Sequence, residues 1–157
     1  MPSKHFRFRP RYRGIALTSV GVGGTLATIA LASLGAAFLP LVTGATGVVL
    51  GIGYLLSPSW QLEVITDDEA LEVRSPKASK FRLLWSDVVK VVSSTTTDTC
   101  FVDGGTPAKS LLVPGDGAPA PYDLTDKAAL CAEILAHVPA DKVETVERLT
   151  TKRAPAG

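Results

Sequence analysis

From Gly14 to Leu56 the chain carries not one charged side chain, reading GIALTSVGVGGTLATIALASLGAAFLPLVTGATGVVLGIGYLL. A helix crossing the hydrocarbon core of a bilayer needs about 20 apolar residues, so this run is too long for one span and suits two. Gly35 and Pro40 both disfavour a continuous helix, which puts a break around Gly35 to Leu41. The expectation is a transmembrane hairpin over 14–58, with helices near 14–36 and 40–58 held antiparallel by the short connection. In lipid, such helices satisfy their own backbone groups, which an open sheet cannot do.

The run is rich in Gly, Ala, Ser and Thr. Gly47 and Gly51 form a GxxxG step, and Gly23 and Ala27 a second small-xxx-small step. Such faces let helix backbones approach closely, either within the hairpin or against another membrane subunit.

Charge is distributed unevenly. Lys4, Arg7, Arg9, Arg11 and Arg13 precede the apolar run, and no acidic residue occurs before Glu63, so the net charge of +1 averages a basic head and a near-neutral body. Residues 1–13 therefore read as a basic cytoplasmic tail. The positive-inside rule and an even number of spans put both termini on the cytoplasmic side of the inner or plasma membrane. Arg7, Arg9, Arg11 and Arg13 are candidate contacts to anionic headgroups, with Phe6, Phe8, Tyr12, Tyr54 and Trp60 as an aromatic belt. Interleaved Arg and aromatic residues also occur in RNA-binding segments, but the neighbouring span favours lipid, and no nucleic-acid partner is expected. A secretory signal with cleavage near Ala30-Leu31-Ala32 is the competing reading. The apolar stretch runs far beyond a normal signal core, which disfavours it.

After Ser57-Pro58 the pattern changes to period two. In WQLEVIT, Trp60, Leu62 and Val64 alternate with polar residues. Asp67-Asp68 marks a turn, and EALEVRS points Leu71 and Val73 inward. KFRLLW sets Phe81 and Leu83 against Lys80 and Arg82, and VVKVVSSTTT is strongly β-branched. Thr99 to Val102 and Ser110 to Val113 flank Gly104-Gly105 as a hairpin. A helix is expected over about 124–138, capped by Asp123 or Thr125, with Leu130, Ile134, Leu135 and Val138 as its apolar stripe. Pro139 ends it. The segment 140–157 is a tail in which DKVETVERL has the pattern of a short helix.

The residues offer little chemistry. Cys100 and Cys131 lack CxxC spacing and a nearby His pair, which argues against zinc and for two reduced, buried thiols. They would approach only if the last helix packs on the sheet, and bonding would need oxidising surroundings. His5 and His137 have no nucleophile or metal cluster around them. Gly21-Val22-Gly23-Gly24 follows no strand and lacks the Lys-Ser/Thr ending of a phosphate loop. Asp67-Asp68-Glu69 reads as a solvated turn rather than a cation site. No catalytic, cofactor or metal-binding residue and no small-molecule substrate is indicated. Lys77, Lys80 and Arg82, with Arg74 and Lys90 on adjacent strands, form a basic cluster and a second candidate contact to anionic lipid.

The stretch from Trp60 to Pro139 resembles the bacterial PH-like (pleckstrin-homology-like) domains. The matching residues are WQLEVITDDEALEVRS, LLWSDVVKV and YDLTDKAALCAEILAHVP; the most specific element has Trp85 plugging the core and Ser86-Asp87 opening the next strand. The resemblance implies an α+β domain over 59–139: an antiparallel sheet or barrel closed by a C-terminal amphipathic helix and preceded by membrane helices. The chain departs from the pattern in its Ser/Thr stretch at 93–99 and its proline-rich loop at 114–121. The functional expectation is a non-catalytic, membrane-anchored scaffold or accessory subunit, partnered by lipid and by another membrane protein or a second copy. An anionic-lipid-binding or lipid-sensing module is the alternative.

Overall fold

The structure, a computed structural model, describes residues 3–33, 38–147 and 149. It divides into two compact units: residues 10–60, and the residues before 10 together with those from 61 onward.

The first unit is a helical hairpin. Helix α1 covers Arg13–Ala32 and α2 covers Phe38–Leu55, followed by a 3-10 turn at Pro58–Gln61. At 1.5 Å per residue α1 is about 30 Å long, the thickness of a hydrocarbon core. Only 17% and 11% of the apolar stretches of the two helices are buried, whereas the core helix of a soluble protein would be mostly covered. Pro40 does not precede α2 but lies in its first turn, where the missing N–H would have had no intrahelical partner. The expected continuation of α1 over 34–36, and Gly35 itself, lie outside the described residues.

The second unit begins earlier than the sequence pattern suggested. Lys4–Pro10 is not a tail but a strand, β1. Phe6 and Phe8 point into the core at 4% and 8% exposure, while His5, Arg7 and Arg9 face out. The next strands are β2 (Glu63–Thr66), β3 (Ala70–Arg74) and β4 (Ser79–Leu84). They form an antiparallel meander with β1, pairing Phe6 with Val64 and Val64 with Val73. The expected boundary at 59 also moves, because Trp60 belongs to the hairpin unit.

A 3-10 turn at Trp85–Asp87 carries the chain to a second sheet of β5 (Lys90–Ser94), β6 (Cys100–Asp103) and β7 (Leu111–Val113). Then come β8 (Tyr122–Leu124), helix α3 (Lys127–His137) and β9 (Val143–Val146). The sheet orders are β4-β3-β2-β1-β8 and β7-β6-β5-β9. The expected barrel is therefore absent: β8 takes the outer edge of β1 and β9 that of β5, so the two sheets do not close on each other. β9 also replaces the short helix expected in DKVETVERL. Val143, Thr145 and Val146 are β-branched, and β9 pairs in parallel with β5, matching Val91 to Val143. Parallel pairing needs a long crossover, and α3 lies within it.

Val64, Leu71, Val88, Val91, Cys100, Val102 and Val113 of the strands and turns join Leu130 and Ile134 of α3 in the fully buried core. Leu135, expected in the same stripe, is exposed. The residue preceding α3 is Asp126 rather than Asp123 or Thr125, in a left-handed conformation without a side-chain cap.

Candidate interaction surfaces

The hairpin interface is built from small residues. A Cβ on Gly23 would meet the Gly44 carbonyl oxygen at 2.6 Å, and one on Gly44 would meet Gly23 O at 2.5 Å and Ala27 N at 2.8 Å. Gly51 packs on Ala16 and Val20, and Gly47 lies against Ser19. Thus Gly23, Ala27, Gly47 and Gly51 line the seam between α1 and α2. At the open end of the hairpin, Tyr12 N–H donates to the Tyr54 hydroxyl at 2.9 Å, and Trp60 Nε1 donates to Tyr54 O at 2.6 Å. The Tyr54 and Trp60 rings meet edge-on with centroids 5.0 Å apart. These three form an aromatic cluster where the chain enters and leaves the hairpin; Phe6 and Phe8, expected beside them, belong to the β-sheet core instead.

A second set of small residues in α1 was not singled out from the sequence. Gly14, Thr18, Gly21, Thr25 and Thr28 recur at intervals of three and four and are exposed on one face. A Cβ on Gly14 or Gly21 would meet nothing within 4 Å. The threonine hydroxyls donate to Gly14 O, Gly21 O and Gly24 O at 2.8–3.0 Å, so none is left unsatisfied. The heptad-like spacing was readable in the sequence; what hid it was the uniformly small composition of the whole run.

The basic residues divide. Arg7 lies opposite Glu63 across the β1–β2 pair, and its backbone is tied to Thr125. His5 reaches Glu63 at 3.4 Å and Lys4 reaches Glu133 at 2.5 Å. Arg9 is exposed on β1, whereas Arg11 and Arg13 lie in the hairpin unit. Lys77, Lys80 and Arg82 fall on the β3–β4 turn and on β4, an outer strand of its sheet. Charged residues on such a strand discourage edge-to-edge pairing. Arg82 bridges Asp67 and Glu69, each at 3.5 Å, so part of the cluster is neutralised within the domain. Asp67 Oδ1 accepts the backbone N–H groups of Glu69 and Ala70, and the Glu69 hydrogen bond is the main cause holding its carboxyl below the usual range.

The histidines have structural partners. His137 stacks on Trp85 at 4.9 Å and bonds Glu133 O through Nδ1, while Trp85 Nε1 donates to Asp67 O at 2.9 Å. An open depression of about 610 Å³ beside β9 is lined by Lys90, Lys142 and Glu144 among others, but Lys90 pairs with Glu144 and Lys142 donates to Ser86 O and Val88 O. No group of three or more metal-ligating side chains occurs among the described residues.

The Ser/Thr stretch at 93–99 and the proline-rich loop at 114–121 bind each other. Ser94 Oγ donates to Glu147 O at 2.7 Å, Thr97 Oγ1 donates to Ser94 Oγ at 2.9 Å, and Gly115 N–H donates to Thr99 Oγ1 at 3.2 Å. A Cβ on Gly115 would overlap Thr97 O at 1.6 Å, so only glycine fits. The Ser/Thr stretch and the proline-rich loop thus lock the β5–β6 turn together.

No protein-family model matches this chain, and neither a curated protein nor a solved structure is significantly similar to it.

Proposed function

We propose that this protein is a non-catalytic, membrane-anchored module with a PH-like soluble domain, acting as a scaffold or accessory subunit of a membrane complex from the cytoplasmic side. The observation that carries the reading is the division of small residues in α1 between two faces. Gly23 and Ala27 lie in the hairpin seam, while Gly14, Thr18, Gly21, Thr25 and Thr28 stay exposed. In a lipid environment, an exposed face of Gly and Thr gives poor packing against acyl chains but admits a second helix at close range. The partner is another transmembrane helix, from a second copy or from a different subunit.

The PH-like part of the reading is supported by the antiparallel meanders β1–β4 and β5–β7 followed by the amphipathic α3, with Trp85 at the junction of the sheets. The basic residues before α1 support the cytoplasmic placement. Exposed Lys77 and Lys80 keep anionic lipid as an auxiliary contact.

Native electrophoresis of the full chain in a mild detergent tests the proposal. A complex larger than the monomer is expected, and Gly21→Leu should dissolve it, whereas Val22→Leu, on a neighbouring exposed position, should not. A wild-type chain that runs only as monomer, or a complex indifferent to Gly21→Leu, rejects the reading.

A further inference from the structure

The strand register sorts the charges of the first sheet by end. β1 finishes at Pro10 and β2 begins at Glu63, so one end of the sheet carries both chain ends that continue into the apolar run. At this end Arg7 lies opposite Glu63, Glu63 opposite Arg74, and Arg74 opposite Ser79. The register shift after Val73 leaves Lys80 as an extra residue of β4 beside Arg74. Arg9 lies two residues beyond Arg7, and Lys77 sits in the β3–β4 turn. Five exposed cations thus share this end with one carboxylate, that of Glu63. The far end is the reverse: the β2–β3 turn supplies Asp67, Asp68 and Glu69, and the nearest register row pairs Glu72 with Arg82.

Ion pairing follows the same division. Lys4, Arg82, Lys90 and Lys127 each reach a carboxylate. Arg7, Arg9, Arg74, Lys77 and Lys80 make no ion pair among the described residues. Like charges gathered in this way repel one another, and an anion laid against them relieves the repulsion.

We propose that this end of the sheet is a docking surface for the anionic lipid headgroups of the membrane that the hairpin enters. The proposal rests on reading the hairpin as membrane-spanning. Charge complementarity is the first argument for lipid. Spread is the second: the cations are distributed over β1, β3, β4 and a turn, which suits several headgroups in a plane better than one compact anion. Tethering is the third. Arg9 stands four residues before Arg13, the first residue of α1, and four residues of chain reach at most about 14 Å. The acidic far end is repelled by the same headgroups, so the asymmetry selects one orientation of the sheet. Arg82, grouped with Lys77 and Lys80 by sequence, falls outside the surface because it is bridged to Asp67 and Glu69.

The test reconstitutes the full chain in nanodiscs of phosphatidylcholine, alone or mixed with phosphatidylserine. A fluorophore on Ala78→Cys reports the basic end and one on Asp68→Cys the acidic end, both in a Cys131→Ser background, with Cys100 fully buried. Spin-labelled headgroups quench whichever end they approach. Phosphatidylserine should raise quenching at position 78 and leave position 68 unchanged. Salt at about 1 M, where the Debye length is about 3 Å, should remove the gain. Lys77→Gln combined with Lys80→Gln should lower the ratio of docked to free domains about 25-fold, at about fivefold for each cation, and Arg82→Gln should change it less than about twofold. Equal quenching in the two lipid mixtures, quenching at 68 that matches 78, or a full response in the Lys77→Gln and Lys80→Gln chain overturns the proposal. If polyglutamate, and not phosphatidylserine, perturbs the fluorophore at 78, the surface takes an acidic protein and the lipid proposal is overturned. A chain that enters neither kind of disc overturns the membrane-spanning reading and this proposal with it, whereas entry without a response to phosphatidylserine rejects the docking surface alone.

Discussion

Replacing Phe6 with Ala separates a strand from a lipid-gripping tail. As part of a tail, Phe6 would contribute nothing to folding. In the structure it is 4% exposed on β1, which lies between β2 and β8. Truncating a buried Phe to Ala costs about 3–5 kcal/mol, and the upper part of that range applies where neighbours cannot collapse into the space. Strands on both sides of β1 restrict such collapse, so about 4 kcal/mol is expected. Against a typical domain stability of about 5–15 kcal/mol, this removes a large fraction. It should lower the unfolding midpoint of the β-sheet unit by on the order of 15 °C. The assay is thermal unfolding of the full chain in detergent, followed by fluorescence of the buried Trp85 in a Trp60→Phe background. Arg9→Gln, on the exposed face of the same strand, is the control and should stay within about 0.5 kcal/mol. If Phe6→Ala and Arg9→Gln unfold together at the wild-type temperature, β1 is not part of the folded domain.

Three further outcomes follow from particular contacts. Gly44→Ala forces a methyl group onto Gly23 O and Ala27 N and should weaken the hairpin by about 1–3 kcal/mol, whereas Gly53→Ala, with nothing within 4 Å, should not; SDS titration in mixed micelles with donor and acceptor labels on α1 and α2 distinguishes them. The Thr66 hydroxyl is buried without a partner, so Thr66→Val should raise the midpoint, by about 1 kcal/mol of stability in denaturant titration. Burial pushes the Tyr122 phenol above 10.0, while its hydroxyl donates to Leu112 O at 2.8 Å. Because the folded state holds this proton more tightly, the associated stability is complete below pH 10.0 and is lost as pH rises through the folded value. Tyr122→Phe should flatten that alkaline loss in unfolding curves measured against pH.

What the sequence shows well is periodicity over long, uninterrupted stretches. The uncharged run gave both apolar helices, and alternation gave Leu71, Val73 and Leu83 as inward residues. Leu130, Ile134 and Val138 were visible as part of the apolar stripe of the closing helix; Trp85 was expected in the core only from the resemblance, and it is buried. β1 was missed although Phe6-Arg7-Phe8-Arg9 alternates as clearly as β3 does. Five positive charges before an apolar run fit topology rules so well that the period-two signal was assigned to the membrane. β9 was missed for another reason: Val143 and Val146 are spaced by three, as on a helix face, and the strand is specified by parallel pairing with β5 across the crossover.

The position of the apolar hairpin in the chain constrains it further. It is inserted between β1 and β2, neighbouring strands of one sheet, where Arg7 pairs with Glu63 and Phe8 N–H donates to Leu62 O at 3.1 Å. Paired strands of this kind hold their backbones about 5 Å apart, so the inserted segment must begin and end at nearly one point. Two antiparallel helices meet that requirement, since packed helix axes lie about 8–10 Å apart and both free ends emerge on the same side. A single span would deliver β1 and β2 to opposite faces of a membrane and break the pair. Cleavage near Ala30-Leu31-Ala32 would be as disruptive, because it would remove Phe6 and Phe8 from the core along with the first helix. Intact-mass analysis of the chain recovered from cells distinguishes the cases: a folded β-sheet unit should always retain its N-terminal strand, and a folded unit lacking residues 1–32 would refute the insertion argument.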